Sequence, residues 1–407
     1  MRLWVFENGL ASKAGHHFNN SVGLRQACAE RGLDVQFFIH QLAEAEVIAA
    51  LDAQLVFRYT PYAKVSKDPL AGSLESALTQ GTEFAKGFDV ALAQGMTSDD
   101  LVFIPTTTQA ELYGCAVAFR RLPPERRPRL ILNFMMENFL ARGTTKLGVV
   151  ATLYRFAMNA LQPGIVGNRL ILAANGNGMA AQFSQVLGRT VSLYPMPKCY
   201  PAMMPESSGA PLAGRRCRVA VLGHSRPDKG LHLIPPLIGR HPELDFLIHV
   251  SGAQAEQLWQ DAKATTDTLA NLEIIRGALD ASDYHALMAR ADVLLLPYDA
   301  KQIPFRSSGV FSEAVAAGKI VVVPKGTWME EHLSNGNGAG ACFPSRTTAC
   351  ISESLKLVTE KLTELDAHAR SCAPRWRAEQ SIAAYIDQAL ASFGLNTPKT
   401  QGTNKTV

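Results

Sequence analysis

Short apolar runs alternate with helical patterns along almost the whole chain. Residues 3–6 form a buried-strand run, a loop carrying Gly9 and Gly15 follows, residues 18–31 have helical spacing, and residues 35–40 form a second apolar run. The chain thus begins with a βαβ unit. Comparable runs recur at residues 55–57, 89–93, 101–104, 130–134, 170–173 and 191–194, and helical patterns such as 109–121 and 147–161 separate several of them. Strands covered on both faces read as continuous apolar runs, so these predict a parallel sheet.

The rhythm breaks at residues 195–216, where Pro195, Pro197, Pro201, Pro205 and Pro211 lie among serines and glycines. Such proline density leaves little regular structure and marks a linker. Beyond it the alternation restarts. Strands are predicted at 218–222, 246–250, 272–275, 293–297 and 319–323, with helices from 231, from 254, at 282–290, at 307–317 and near Met329. A long helical stretch covers 347–393, with a break predicted at Pro374, and a polar tail closes the chain. The pattern describes two doubly wound α/β units. It predicts an N-terminal domain over 1–205, a second domain over 217–373, a C-terminal helix over 374–394 and a disordered tail over 395–407.

Composition agrees with this picture. A length of 407 residues suits two domains of about 200 residues each, and 47% hydrophobic with 19% charged residues is a globular balance. A formal net charge of +4 is too small for a dedicated nucleic-acid binder. It fits either an incidental surface or peripheral contact with anionic lipid. The seven cysteines have no C-x-x-C spacing, so neither a zinc site nor a disulfide framework is read, and a reducing, cytoplasmic setting is expected. Neither a signal peptide at the first residues nor an apolar run of about 18 residues is present, and no membrane span is expected.

The chemistry concentrates in the second unit. Residues 298–324 read YDAKQIPFRSSGVFSEAVAAGKIVVVP: a polar loop after a strand, then a helix opening with Ser307, Ser308 and Gly309. Such an opening aims backbone N–H groups and the positive helix end at the space above the strand ends, where an anion fits. A Ser-Ser-Gly opening is also an ordinary helix cap. Residues 223–230, GHSRPDKG, follow another strand, so Arg226 and Lys229 can approach the same anion or stand as solvated turn residues. Glu313, further along the same helix, can accept from ribose hydroxyls or lie on an exposed face.

Taken in order, GHSRPDKG at 223–230, YHALMARADVLLLPY at 284–298 and SGVFSEAVAAGKIVVVP at 308–324 resemble the family 4 glycosyltransferases of GT-B fold, over about a quarter of the chain. The resemblance implies two Rossmann-like parallel-sheet domains facing a cleft. It further implies a nucleotide-diphosphate-sugar donor as co-substrate, a metal-independent reaction without a cofactor and, usually, retention of anomeric configuration. Acceptor classes to expect are a glycan, a lipid-linked molecule or a small molecule. By position, Lys229 matches the diphosphate lysine and Glu313 the ribose-binding glutamate. The N–H groups of Ser308, Gly309 and Val310 match the phosphate turn, Gly223 begins the loop, and Gly277 and Ala278 fall near the backbone that reads the base. Two positions depart from the pattern. The signature's first glutamate falls on Phe305, and the arginine after the first glycine falls on His224, with Arg226 able to supply that charge.

The N-terminal half resembles the family less. Its loop KAGHHFN at 13–19, followed by a helix and then ERGLDVQFFI, is similar to the family's glycine loop. Gly15 would let that loop approach donor phosphate or acceptor. Either His16 or His17 can contact donor phosphate or acceptor, and because a histidine titrates near neutrality a proton-transfer role is open to them, His16 being the catalytic candidate; loop structure or simple hydrogen bonding is the alternative. Glu137 and Asn138 are further candidates, and NGNG at 175–178 reads as a turn or a phosphate loop. A nucleotide-sugar epimerase and a non-catalytic protein of the same fold are the alternatives to a transferase.

Overall fold

The computed structural model describes residues 1–13, 15–63, 71–136, 139, 147–200, 215–252, 255–262 and 270–395. Candidates Glu137 and Asn138, linker residues 201–214 and tail residues 396–407 lie outside the described residues. The chain divides into two compact units, one running Met1–Cys199 and resuming at Gln380, the other Tyr200–Glu379.

The first unit contains β1 (Arg2–Glu7), α1 (His16–Glu30), β2 (Asp34–His40), α2 (Ala45–Leu51), β3 (Gln54–Phe57) and α3 (Ala71–Ala93). It continues with β4 (Leu101–Ile104), α4 (Gln109–Arg121), β5 (Arg129–Phe134), α5 (Val149–Leu161), β6 (Leu170–Ala174), α6 (Asn177–Leu187) and β7 (Ser192–Leu193). The strands form one sheet in the order β3-β2-β1-β4-β5-β6-β7, and every pair is parallel. Leu3, Val5, Leu101 and Phe103 are buried on one face of the sheet and Trp4, Phe6, Val102 and Ile104 on the other, which is why these segments read as unbroken apolar runs.

The second unit contains β8 (Arg218–Val221), α7 (Ile234–Arg240), β9 (Asp245–Val250), α8 (Ala255–Ala262), β10 (Leu272–Arg276), α9 (Ala281–Ala289), β11 (Val293–Leu295) and α10 (Gly309–Ala316). There follow β12 (Ile320–Pro324), α11 (Trp328–Ser334), β13 (Gly340–Phe343), α12 (Thr348–Glu360) and α13 (Leu362–Glu379). Its parallel sheet has the order β10-β9-β8-β11-β12-β13. The doubly wound α/β reading of both halves therefore stands.

Two expected elements differ. Residues 89–93 are the end of the 23-residue helix α3, not a strand. Their apolar run is too short to distinguish the two, and Phe84, Phe88 and Ala91 recur at helical spacing on its buried side. The second difference is Pro374, which sits inside α13 without ending it. A proline there forfeits a helical hydrogen bond, a cost of about 3 kcal/mol, but Ala369, Cys372, Ala373 and Trp376 anchor the same helix in the core. The break falls instead at Ser381, whose side chain accepts from Ala384 N–H and caps α14 (Ile382–Ser392).

That last helix belongs to the first unit's core. Ile382, Tyr385, Ile386, Ala389 and Leu390 are buried among Leu3, Leu101, Phe103 and Ile131, and the Tyr385 ring lies 5.2 Å from Phe103 and 5.0 Å from Tyr194. Asp387 grips Arg31 through two bonds of 2.6 and 2.7 Å. Among the described residues no helix is long and apolar enough to cross a membrane.

Ending the chain at Ser381 should therefore unlock the first unit. Hydrogen exchange is expected to show lost protection in β1 and β4 while β8–β12 stay protected, and unchanged exchange in β1 would contradict this packing. Tyr385→Ala should cost about 3–5 kcal/mol by leaving an aromatic-sized hole, read as a lower denaturant midpoint of the same unit.

Candidate functional site

In an open parallel sheet the chain leaves successive strands to opposite sides at the point where the strand order reverses, and a crevice opens at the strands' carboxyl ends. In the second unit that point lies between β8 and β11. The loop leaving β8 carries Gly223 at φ +100°, and a Cβ there would stand 3.0 Å from Val310 Cγ2, so this loop lies directly against the first turn of α10. A single 3-10 turn, Pro227–Lys229, then presents Lys229. Gly230 follows at φ +79°, and a side chain on it would collide with the Pro297 carbonyl. Only glycine allows the β8 loop to press so closely on the segment leaving β11.

The contact places the Lys229 ammonium 3.3 Å from the centroid of the Tyr298 ring. The two loops are tied together further. Arg346 donates to the carbonyls of Pro297 (3.0 Å) and Pro227 (2.7 Å), and Asp299 N–H donates to Asp228 O at 2.8 Å. Lys229 is half-buried. Burial first, then the positive charge of Arg226, pull its pKa down to about 7, with Arg306 adding to the shift and Asp228 opposing it. Arg226 is exposed and forks onto Asp228 at 3.1 and 3.0 Å.

Ser308 caps α10, its hydroxyl accepting from Phe311 N–H at 3.3 Å. Gly309 and Val310 supply the first-turn N–H groups, which have no carbonyl four residues back within the helix. Together with Gly223, Arg226, Lys229 and Arg306 they make a cationic, donor-rich wall, suited to an anion with several acceptor oxygens. Glu313 is half-buried on the same helix and faces Tyr284 of α9. Burial first, then the charge of Glu313 and the neighbouring Tyr298, push the Tyr284 phenol well above its ordinary pKa.

Other candidates stand further off. His224 is exposed, its ring lying against Gly252. Gly277 and Ala278 are exposed after β10, two strands from the crevice, and His249 Nε2 meets the Gly277 carbonyl at 2.8 Å. Phe305 is half-buried in the loop before α10. Sequence reasoning missed Tyr298, Arg306 and Arg346. An arginine just ahead of a Ser-Ser-Gly helix start is a readable signal for Arg306, whereas the roles of Tyr298 and Arg346 arise from loops that meet only in three dimensions.

The first unit has its own reversal, between β1 and β4, and a small solvent-open pocket lies there. Glu7 closes β1 on one wall, Pro105 and Thr106 follow β4, and His16, His17 and Asn20 come from the start of α1. Gly15 precedes that helix at φ +89°. The loop after β1 is braced from below. Asn8 donates to the buried carboxylate of Glu111 at 2.7 Å, and Glu111 also accepts from Thr108 N–H at 2.8 Å.

Of the two adjacent histidines that the sequence offers, His17 is the one with a carboxylate partner. His17 Nδ1 lies 3.1 Å from Glu7 Oε1 and Nε2 lies 2.9 Å from the Tyr62 hydroxyl. Burial alone would lower the pKa of His17, yet the charge and hydrogen bond of Glu7 outweigh it and raise the value above 6.5. His16 is exposed and stacks on His17 with ring centroids 4.2 Å apart. Glu7 had no distinguishing mark in the sequence beyond its place at a strand's carboxyl end. Of the NGNG segment, Asn175 and Gly176 form the turn after β6 and Asn177 and Gly178 open α6, with Asn175 Nδ2 donating to Pro195 O at 2.7 Å.

No protein-family profile and no curated protein matches the chain. Solved structures do. HepE from Anabaena in complex with UDP is 16% identical over 97% of this chain and 100% of its own, with a TM-score of 0.67. A sucrose-phosphate synthase from Thermosynechococcus elongatus is 12% identical over 97% and 99%, with a TM-score of 0.64. A UDP-GlcNAc 2-epimerase from Neisseria meningitidis is 14% identical over 97% and 100%, at 0.50. The chain is thus similar in architecture to GT-B glycosyltransferases, and its fold is GT-B, built from two Rossmann-like parallel-sheet units.

Proposed function

We propose that the protein is a glycosyltransferase that moves a sugar from a nucleotide-diphosphate donor to an acceptor hydroxyl. The observation that carries this reading is the convergence of the β8 loop and the α10 start: Lys229, Arg226 and Arg306 stand with the N–H groups of Gly309 and Val310 around one crevice. These groups fit a diphosphate, and fixed charges at the oxygens of a departing diphosphate are a major source of catalysis. Glu313 at the same crevice suits ribose hydroxyls. The complex of HepE with UDP, in a chain of the same fold, supports the nucleotide part of the reading. The donor is a co-substrate here, and a glycan, lipid-linked or small-molecule acceptor is in keeping with it.

Phe305 favours a second reading, a GT-B-fold protein that binds nucleotide without transferring sugar, because the resemblance leads one to expect a carboxylate at that position. Epimerisation is a third, since an epimerase shares the fold. Calorimetry with UDP, GDP, ADP and dTDP, followed by incubation with nucleotide sugars alone, separates them. Binding with sugar transfer only when an acceptor is added is the expected result. Epimerised sugar without acceptor would select the epimerase, and binding without any turnover the binding protein.

Lys229→Ala should lower turnover by about two orders of magnitude or more, the scale on which a single preorganised donor acts. Near-normal turnover would remove Lys229 from the diphosphate site. The pH dependence has a definite sign. With the crevice empty Lys229 loses its proton near pH 7, and an anion favours the ammonium, so nucleotide affinity should fall as pH rises above about 7, by up to about tenfold per pH unit. Lys229→Arg keeps its charge throughout, and in calorimetry it should lose this dependence. A wild-type affinity that is flat from about pH 6 to about pH 9 would contradict the coupling.

A further inference from the structure

Just beyond β11 the backbone makes a γ-turn, in which Tyr298 N–H donates back to Leu296 O at 2.8 Å. The side chain so turned is buried, only 4% exposed. A buried tyrosine needs a partner for its hydroxyl, and the Ser308 side chain is that partner. The face of the same ring lies 3.3 Å from the Lys229 ammonium. One side chain therefore touches both walls of the second unit's crevice, the cation of the β8 loop and the cap of α10.

Lys229 has little else to fix it. Among the described residues no carbonyl or carboxylate accepts a hydrogen bond from its ammonium. Arg226 from its own loop and Arg306 from the loop before α10 repel it. Asp228 attracts it, but both oxygens of that carboxylate are held by Arg226, and Asp299, beside Tyr298, is paired with Arg346 at 3.6 Å. A lysine carries its charge on a flexible four-carbon stem. The ring face, with its negative quadrupole, is the feature that gives this charge one place to stand. Burial above all holds the Tyr298 phenol above its ordinary range, so the ring itself is uncharged at neutral pH.

We propose that Tyr298 is a positioning residue of the crevice: its face seats the Lys229 ammonium where an anion can meet it, and its hydroxyl ties the start of α10 to that seat. The inference rests on the reading of this crevice as a diphosphate site. Two opposed influences then set the charge of Lys229. Burial strips water from the ammonium, and the ring face replaces part of the attraction that water gave. Replacing the ring by an aliphatic side chain should therefore disfavour the ammonium further. A ring that merely filled space would act the other way, because water entering its place would restore the ordinary basicity of lysine.

The test uses the full chain and the variants Tyr298→Phe, which keeps the ring, and Tyr298→Leu, which removes it. Lysine labelled at Cε is followed by NMR, with Lys229→Arg identifying the signal. Ring current should shift the Lys229 methylene protons upfield in wild type and in Tyr298→Phe but not in Tyr298→Leu. The Lys229 titration midpoint should stay within about 0.3 pH unit in Tyr298→Phe and fall by about half a unit or more in Tyr298→Leu. In calorimetry below about pH 7, where Lys229 is charged, whichever of UDP, GDP, ADP and dTDP binds wild type should bind Tyr298→Phe within about threefold and Tyr298→Leu about fivefold or more weakly.

A midpoint that rises in Tyr298→Leu overturns the inference, as does a Tyr298→Phe variant that binds as poorly as Tyr298→Leu. Unshifted Lys229 methylene protons in wild type overturn it too, and that measurement needs no variant to fold. In each of these cases nucleotide binding by wild type leaves the glycosyltransferase reading standing. Failure of all four nucleotides to bind wild type removes that reading, and the inference with it.

Discussion

Parallel strands bring their carboxyl ends to one edge of a sheet, and the helices that follow bring their positive ends to the same edge. A crevice opens along that edge only where the strand order reverses. Each unit of this protein has such a reversal, β1 against β4 in one sheet and β8 against β11 in the other. Residues far apart in the chain become neighbours there because backbone geometry leaves them no other common place. Lys229 meets Tyr298, and Glu7 meets His17, at these two points.

The two crevices use opposite electrostatics. In the second unit Lys229 is partly desolvated beside Arg226 and Arg306, an arrangement that disfavours its own charge. Glycine at 223 and 230 makes this possible by letting loop backbones approach the start of α10 and the Pro297 carbonyl. In the first unit a buried carboxylate raises the proton affinity of His17.

Much of this was legible in the chain. Continuous apolar runs foretold nearly every strand, because a strand covered on both faces has no polar side to show. GHSRPDKG and the Ser308–Gly309 helix start were visible as loops at strand ends. The failures have physical causes too. Residues 89–93 are apolar enough for a strand but lie in the last turns of α3, since a five-residue run does not reveal its period. Pro374 has the local properties of a helix breaker, and packing of Trp376 and its neighbours overrides them.

What the amino-acid sequence determined by itself was local: where strands and helices form, which loops follow strands, and which of those loops carry cations, glycines or histidines. Periodicity and turn chemistry act over a few residues, so they are written in the order of the chain. The tertiary structure decided which loops share a crevice. It gave the carboxylate to His17 rather than to the adjacent His16, set Lys229 on the ring of Tyr298, and seated Tyr385 of the last helix in the core of the first unit. Those pairings join residues from 10 to hundreds of positions apart. They depend on strand order and on which way each side chain points, and neither quantity is encoded in any short stretch of sequence.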